Sequence, residues 1–347
     1  MSTMQLGLAI AGVLLIFAML AYNAWVTRQH RPRQPAPPSF DLDAGLGKEP
    51  VFDSVAEAAV AEQAIHLPLP QAKPAPALDA VIDIIAPISL DNLLSGEAVL
   101  AALPPTRRVG SKPFAIEGCN AATQRWERPQ AKQRYQSLQA GVQRANRAGP
   151  INEIEYSEFV VKTQNFCDGL GGSPDFPDML EQVARAREQD AFAAAHDAQL
   201  EFFLRARHAS WSAGYVQQNA AALGFALGGV AGRMVLPAGA AGIPPLLHLS
   251  FNAQAALADD AASGIVRELI IRLDVPQVAA SEQAFACMRQ LAKTLADNMD
   301  AALTDDHGVL LADAALDVIA AELQDWYDVM EQCGFPAGSV RARRLFS

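Results

Sequence analysis

Between Leu6 and Val26 the chain carries no charged side chain. That length matches the roughly 20 residues a helix needs to span hydrocarbon, and a helix can do so because it satisfies its own backbone groups. A cleaved leader would show Lys or Arg ahead of a shorter apolar core and small residues spaced A-x-A at the cut. No basic side chain precedes Leu6, and Ala18, Ala21 and Ala24 stand three apart. Tyr22 and Trp25 suit the headgroup level, and Arg28, Arg31 and Arg33 follow at once, which predicts a cytoplasmic body beyond them. The expectation is a retained single-pass anchor over 1–27, with its N-terminus outside and lipid around Leu6–Val26.

Several chemistries are disfavoured by what the remaining sequence lacks. Cys119, Cys167, Cys287 and Cys333 form no CxxC pair and no Cys/His ligand spacing, so reduced thiols packed as small hydrophobes are expected. The six histidines are dispersed, and no metal site is expected. "GFALGGVAGR" imitates a phosphate loop, but its glycines leave a predicted helix and lead into a strand, the reverse of a dinucleotide turn. "GLGGSPD" reads as a helix C-cap. His208 near Ser210, Asp305–Asp306–His307 and Asp259–Asp260 read as solvated loops, without a nucleophile–base arrangement. No cofactor and no catalysis are expected. Of the net charge of −11, −10 falls on 197–334, which argues against nucleic acid as a ligand.

Residues 28–78 read as a tether: "RPRQPAPP" and "HLPLPQAKPAPA" favour extended polyproline conformations around one short predicted helix, Ser54–Ile65. Folding begins near Leu78. Over 79–196 the pattern predicts a strand (ALDAVIDIIAPISL), a short helix (SGEAVLAALPP), strands at KPFAIEG and RYQSLQAGVQRANR, and two helices. The first of these carries Tyr156, Phe159, Thr163, Phe166 and Leu170 on one stripe, and the second starts with Pro177 at its first position. Over 197–334 the order is strand, helix, three strands, helix, short strand (GVLLAD) and helix. The first long helix (281–303) places Phe285, Met288, Leu291, Leu295 and Met299 on one face. The last, with Asp313 as its cap, carries Leu316, Ile319, Leu323, Trp326 and Met330 and ends at Gly334. The predicted class is α+β, an antiparallel sheet covered on one face by helices. The order over 79–196 loosely echoes 197–334, as a diverged second copy would. Residues 335–347 read as a basic tail.

The segments "AALGFALGGVAG", "LLHLSFN", "ELIIRLDVP" and "GVLLADAALDVIAAELQDW", together with the anchor and tether, resemble the bacterial cell-division protein family ZipA. The resemblance covers about 197–334. It implies a domain that binds the C-terminal tail of the tubulin-like protein FtsZ on the open face of its sheet and fastens the division ring to the inner membrane. The extra unit at 79–196 departs from that pattern. Alternation puts Leu269, Ile271 and Leu273 inward and Ile270, Arg272 and Asp274 outward. Phe203 is outward on the first strand, and Val230, Gly232 and Met234 share the open side of the second. Phe203, Val230, Met234 and Ile270, edged by Arg272, are therefore the expected peptide-binding patch. The alternatives are a membrane-tethered adaptor for another cytoplasmic protein and, beyond that, a membrane-bound enzyme.

Overall fold

The computed structural model describes residues 78–239, 242–257 and 264–347. The anchor and tether readings fall outside the described residues. Among those described, no helix is long and apolar enough to cross a membrane. The described chain separates into two compact units, 78–195 and 196–346.

In the first unit β1 (Asp83–Ser95) leads into α1 (Gly96–Ala102), β2 (Arg108–Val109), β3 (Lys112–Asn120), β4 (Trp126–Glu127) and β5 (Arg134–Gln143). A small hairpin, β6 (Ala145–Asn146) and β7 (Gly149–Pro150), is followed by α2 (Glu153–Asp168), β8 (Gly172–Pro174) and α3 (Met179–His196). Ser95 starts α1 by accepting from the Ala98 N–H at 3.2 Å. Asn152 starts α2 with a reciprocal capping box: its side chain takes the Glu155 N–H while Glu155 reaches back to the Asn152 N–H. Of the predicted stripe, Tyr156, Phe159, Thr163 and Phe166 are buried and Leu170, beyond the end of α2, is half-buried; Phe159 stands edge-on to Phe114, Tyr156 and Phe176 at centroid distances of 6.1, 5.9 and 5.8 Å. Pro177 is not the first residue of α3. Asp178 intervenes as the cap, accepting from the Glu181 N–H at 2.9 Å, because a carboxylate there satisfies an end N–H that proline would leave unpaired. The segment "GLGGSPD" does more than close α2, since Gly172–Pro174 goes on to pair with β1 as an edge strand.

The second unit runs β9 (Gln199–Ala206), β10 (Trp211–Ser212), α4 (Ala213–Ala222), β11 (Ala226–Leu227), β12 (Arg233–Leu236), β13 (Leu247–Phe251) and α5 (Ala253–Ala256). It continues with β14 (Ile265–Val266), β15 (Glu268–Asp274), α6 (Ala284–Met299), β16 (Ala301–Thr304), α7 (Asp313–Gln332) and α8 (Val340–Leu345). Phe285, Met288, Leu295 and Met299 of α6 and Leu316 and Leu323 of α7 pack on the inward residues of the strands, among them Phe202, Leu204, Leu249, Leu269 and Ile271. The helices therefore cover one face of the sheet.

Both sheets are wired in the same way. The first runs β2-β3-β5-β1-β8 and the second β12-β13-β15-β9-β16, with β11 added at the edge of β12. Counting only the strands on these paths and the helices longer than six residues, each unit has the order strand, helix, three strands, helix, strand, helix. In each, the first strand lies between the fourth and the fifth, and every neighbouring pair on these two paths is antiparallel.

Four local expectations are corrected. The helix predicted to run to Leu303 stops at Met299, because Asp300 turns left-handed (φ 54°) and Ala301–Thr304 joins the sheet beside β9. The predicted strand GVLLAD contributes only one bridge, Leu310 to Thr304. Asp313 is not the cap of α7 but its first helical residue, drawn to Arg289 and Lys293 of α6. The segment read as a basic tail forms α8, in which Leu345 and Phe346 are fully buried.

Candidate functional site

In the second unit, the sheet face opposite the helices is set by register. Phe203 stands across from Ile270, which stands across from Ser250, itself opposite Arg233; Thr304 flanks Phe203 on the other side. Both apolar side chains are half-buried. Each end of the pair is closed by an ion pair bridging β9 and β15. Arg272 Nε donates to Glu201 Oε1 at 2.6 Å, and Arg205 Nε donates to Glu268 Oε2 at 2.7 Å. The Arg205 guanidinium also lies 5.4 Å from the Phe203 ring centroid, a cation–π distance. A cleft of about 500 Å³ opens beside this pair, lined by Ser250, Asn252, Ile265, Arg267, Glu268 and Ile270 among others. His248, directly across from Arg272, is held below the ordinary histidine value by burial, with Arg272 and Arg233 adding to the effect and Asp274 opposing it. The face thus offers an apolar centre and charged ends. That arrangement suits an extended or helical peptide with a few apolar anchors.

Three of the five expected residues come together here: Phe203, Ile270 and Arg272. Met234 does not. It lies across from Leu249 on the helix-covered face and is 2% exposed. The strand begins only at Arg233, after Gly232 has turned left-handed (φ 73°), so alternation counted through Gly232 has the wrong parity. Arg233 and Val235 take the open side instead. Val230 sits in the turn before β12, exposed, in a recess shared with Gln217, Leu227, Met234 and Phe251 rather than beside Phe203. Met234→Ala should therefore destabilise the second unit by about 2–5 kcal/mol, as a buried truncation does. A solvent-facing methionine would cost under about 0.5 kcal/mol in the same denaturant titration.

Of the groups weighed for catalysis, Asp259–Asp260 lie outside the described residues, and the others fall in loops and turns. His208 Nδ1 lies 3.0 Å from Asp300 with its side chain 80% exposed, and Asp305 accepts from the Val309 N–H at 2.8 Å within a turn. Gly224 (φ 91°) ends α4, so those glycines do leave a helix for a strand.

The family model described as "ZipA, C-terminal FtsZ-binding domain" matches residues 255–322. That stretch of the chain is similar to the C-terminal domain of the ZipA family. The matched stretch takes in β14, β15, α6, β16 and the first half of α7, so it contains Ile270 and Arg272 and stops short of Phe203. No curated protein matches the chain at a significant level. The patch expected from sequence left out Ile265, Ser250 and Asn252, which line the cleft. Ile265 becomes visible only once β14 is seen pairing with β10.

Proposed function

We propose that this chain is a membrane-anchored cell-division protein that holds the C-terminal tail of FtsZ on the open face of 196–346. The Phe203–Ile270 pair, half-buried between two ion pairs in a unit part of which matches an FtsZ-binding family model, carries this reading. Adjacent apolar side chains on a face rimmed by charge are where a peptide's own apolar residues lose water most favourably. With the anchor over Leu6–Val26 in inner-membrane lipid, such a grip fastens the division ring to the membrane. The action is binding, with no catalytic step. The experiment is capture of purified FtsZ by the immobilised chain, beside FtsZ lacking its C-terminal tail. Full-length FtsZ should be retained and the truncated form lost. Equal retention of both would move the contact away from the tail.

A second reading keeps the anchor and the face but changes the guest. The ion pairs and the Arg233–Ser250 side make the groove more polar than a purely apolar tail needs, which favours an adaptor for another cytoplasmic peptide with charged flanks. Failure to retain FtsZ, with the fold intact, would favour it.

The topology has its own test. Arg28, Arg31 and Arg33 follow the apolar run, so a reporter enzyme that works only in the periplasm, fused after Ser347, should be inactive. Activity there would put the body on the wrong side for FtsZ.

A further inference from the structure

The first unit shares the wiring of the second, yet its open face is filled. A turn at 79–82, in which the Ile82 N–H donates to the Asp79 carbonyl at 3.0 Å, folds the lead-in chain back over its own strand. The turn is held by Asp79 N–H to Asp83 Oδ2 at 2.8 Å and by Arg144 Nη1 donating to the Ala80 and Val81 carbonyls, each at 2.9 Å. Leu78 thereby lands on Gly141 so closely that a Cβ on that glycine would run into the leucine's methyl groups. Gly141 is paired with Ile85 on β1 and with Ala115 on β3, so one bulky residue and one small one flank this socket. The Leu78 N–H donates to Glu117 Oε1 at 3.2 Å, and Gln139 Nε2 donates to the other oxygen of the same carboxylate at 2.8 Å. Leu78 is 9% exposed, yet it is absent from the helix-side core cluster. In the second unit the corresponding first, fourth and third strands carry Phe203, Ile270 and Ser250, and Phe203 and Ile270 are half-buried.

We propose that the open face of 78–195 is a second peptide-binding face of the same design, reading a leucine side chain and its backbone N–H, and that the chain's own segment 78–82, led by Leu78, occupies it. The occupant is named by the covalent path: residues 78–82 run directly into β1. Tethering gives such a segment an effective concentration on the order of millimolar, so a free peptide competes poorly. The consequence is a chain with one face free for a guest and one closed in cis, the closed one fixing the end of the tether to the fold.

The test uses the full chain in detergent and a synthetic peptide copying residues 66–82. Leu78→Ser empties the socket without touching the helix-side core, and the peptide should bind this variant about tenfold or more tighter than the native chain. In Gly141→Val the strand's own side chain fills the socket. The amides of 78–82 should then exchange with solvent about tenfold or more faster than in the native chain, and the peptide should not bind. Equal peptide binding to native and Leu78→Ser chains, or unchanged exchange in Gly141→Val, would overturn the proposal. Neither readout involves FtsZ, so the outcome stands apart from what binds 196–346.

Discussion

Phe203→Ala should weaken binding of the FtsZ tail by at least about 30-fold, equivalent to roughly 2 kcal/mol, while the melting temperature of the second unit stays nearly unchanged. Phe203 is the larger member of the apolar pair, and its ring lies beneath Arg205, itself held by Glu268 and Thr304. Its chain neighbours Phe202 and Leu204 point into the core at 2% and 0% exposure, so the strand keeps its packing when Phe203 is shortened. Because the patch is apolar and the flanking charges are already paired, raising the salt should weaken the complex only modestly. The check is the affinity of the two proteins for the same tail peptide at two ionic strengths. An unchanged affinity in the variant would move the grip elsewhere on the sheet.

The largest stability effect is expected at Trp211. Its side chain is fully buried, and its Nε1 donates to the Met299 carbonyl at 2.9 Å. The last carbonyls of a helix have no partner within it. Here Trp211 takes one, and the Tyr215 hydroxyl takes the next, donating to Asn298 O at 3.1 Å. Trp211→Ala should therefore cost the second unit about 3–5 kcal/mol through the cavity. Trp211→Phe keeps most of the volume and should cost about 1–3 kcal/mol, chiefly by leaving the Met299 carbonyl unpaired. Denaturant unfolding of both variants separates the two contributions. A silent Trp211→Phe would mean that the hydrogen bond adds nothing.

Elements with a strong period were readable from sequence. The helix stripe Phe285–Met288–Leu295–Met299 is buried as its spacing implies, and alternation along Glu268–Asp274 placed Ile270 and Arg272 outward. Reading failed where local residues carry no preference. "DAAL" after Met299 continues a helical pattern because alanine is the best helix former, and only the left-handed backbone at Asp300 ends it. Met234 was assigned to the wrong face because parity was counted through Gly232, whose backbone breaks the alternation. The arginines of α8 dominate its composition, while Leu345 and Phe346 do the packing. The element order alone suggested the likeness between the two units, but the sheet order rests on pairings far apart in sequence that no local pattern encodes. Asp79 to Ile82 likewise gave no sign that Leu78 would fold back onto Gly141.

The central claim is that one free peptide-binding face, built on Phe203 and Ile270, takes the FtsZ tail. Calorimetric titration of that tail into the full chain tests it most directly. The account predicts saturable binding of one peptide per chain, lost to at least the 30-fold degree in Phe203→Ala. A flat titration with the native chain, under conditions where both units are folded, would contradict it.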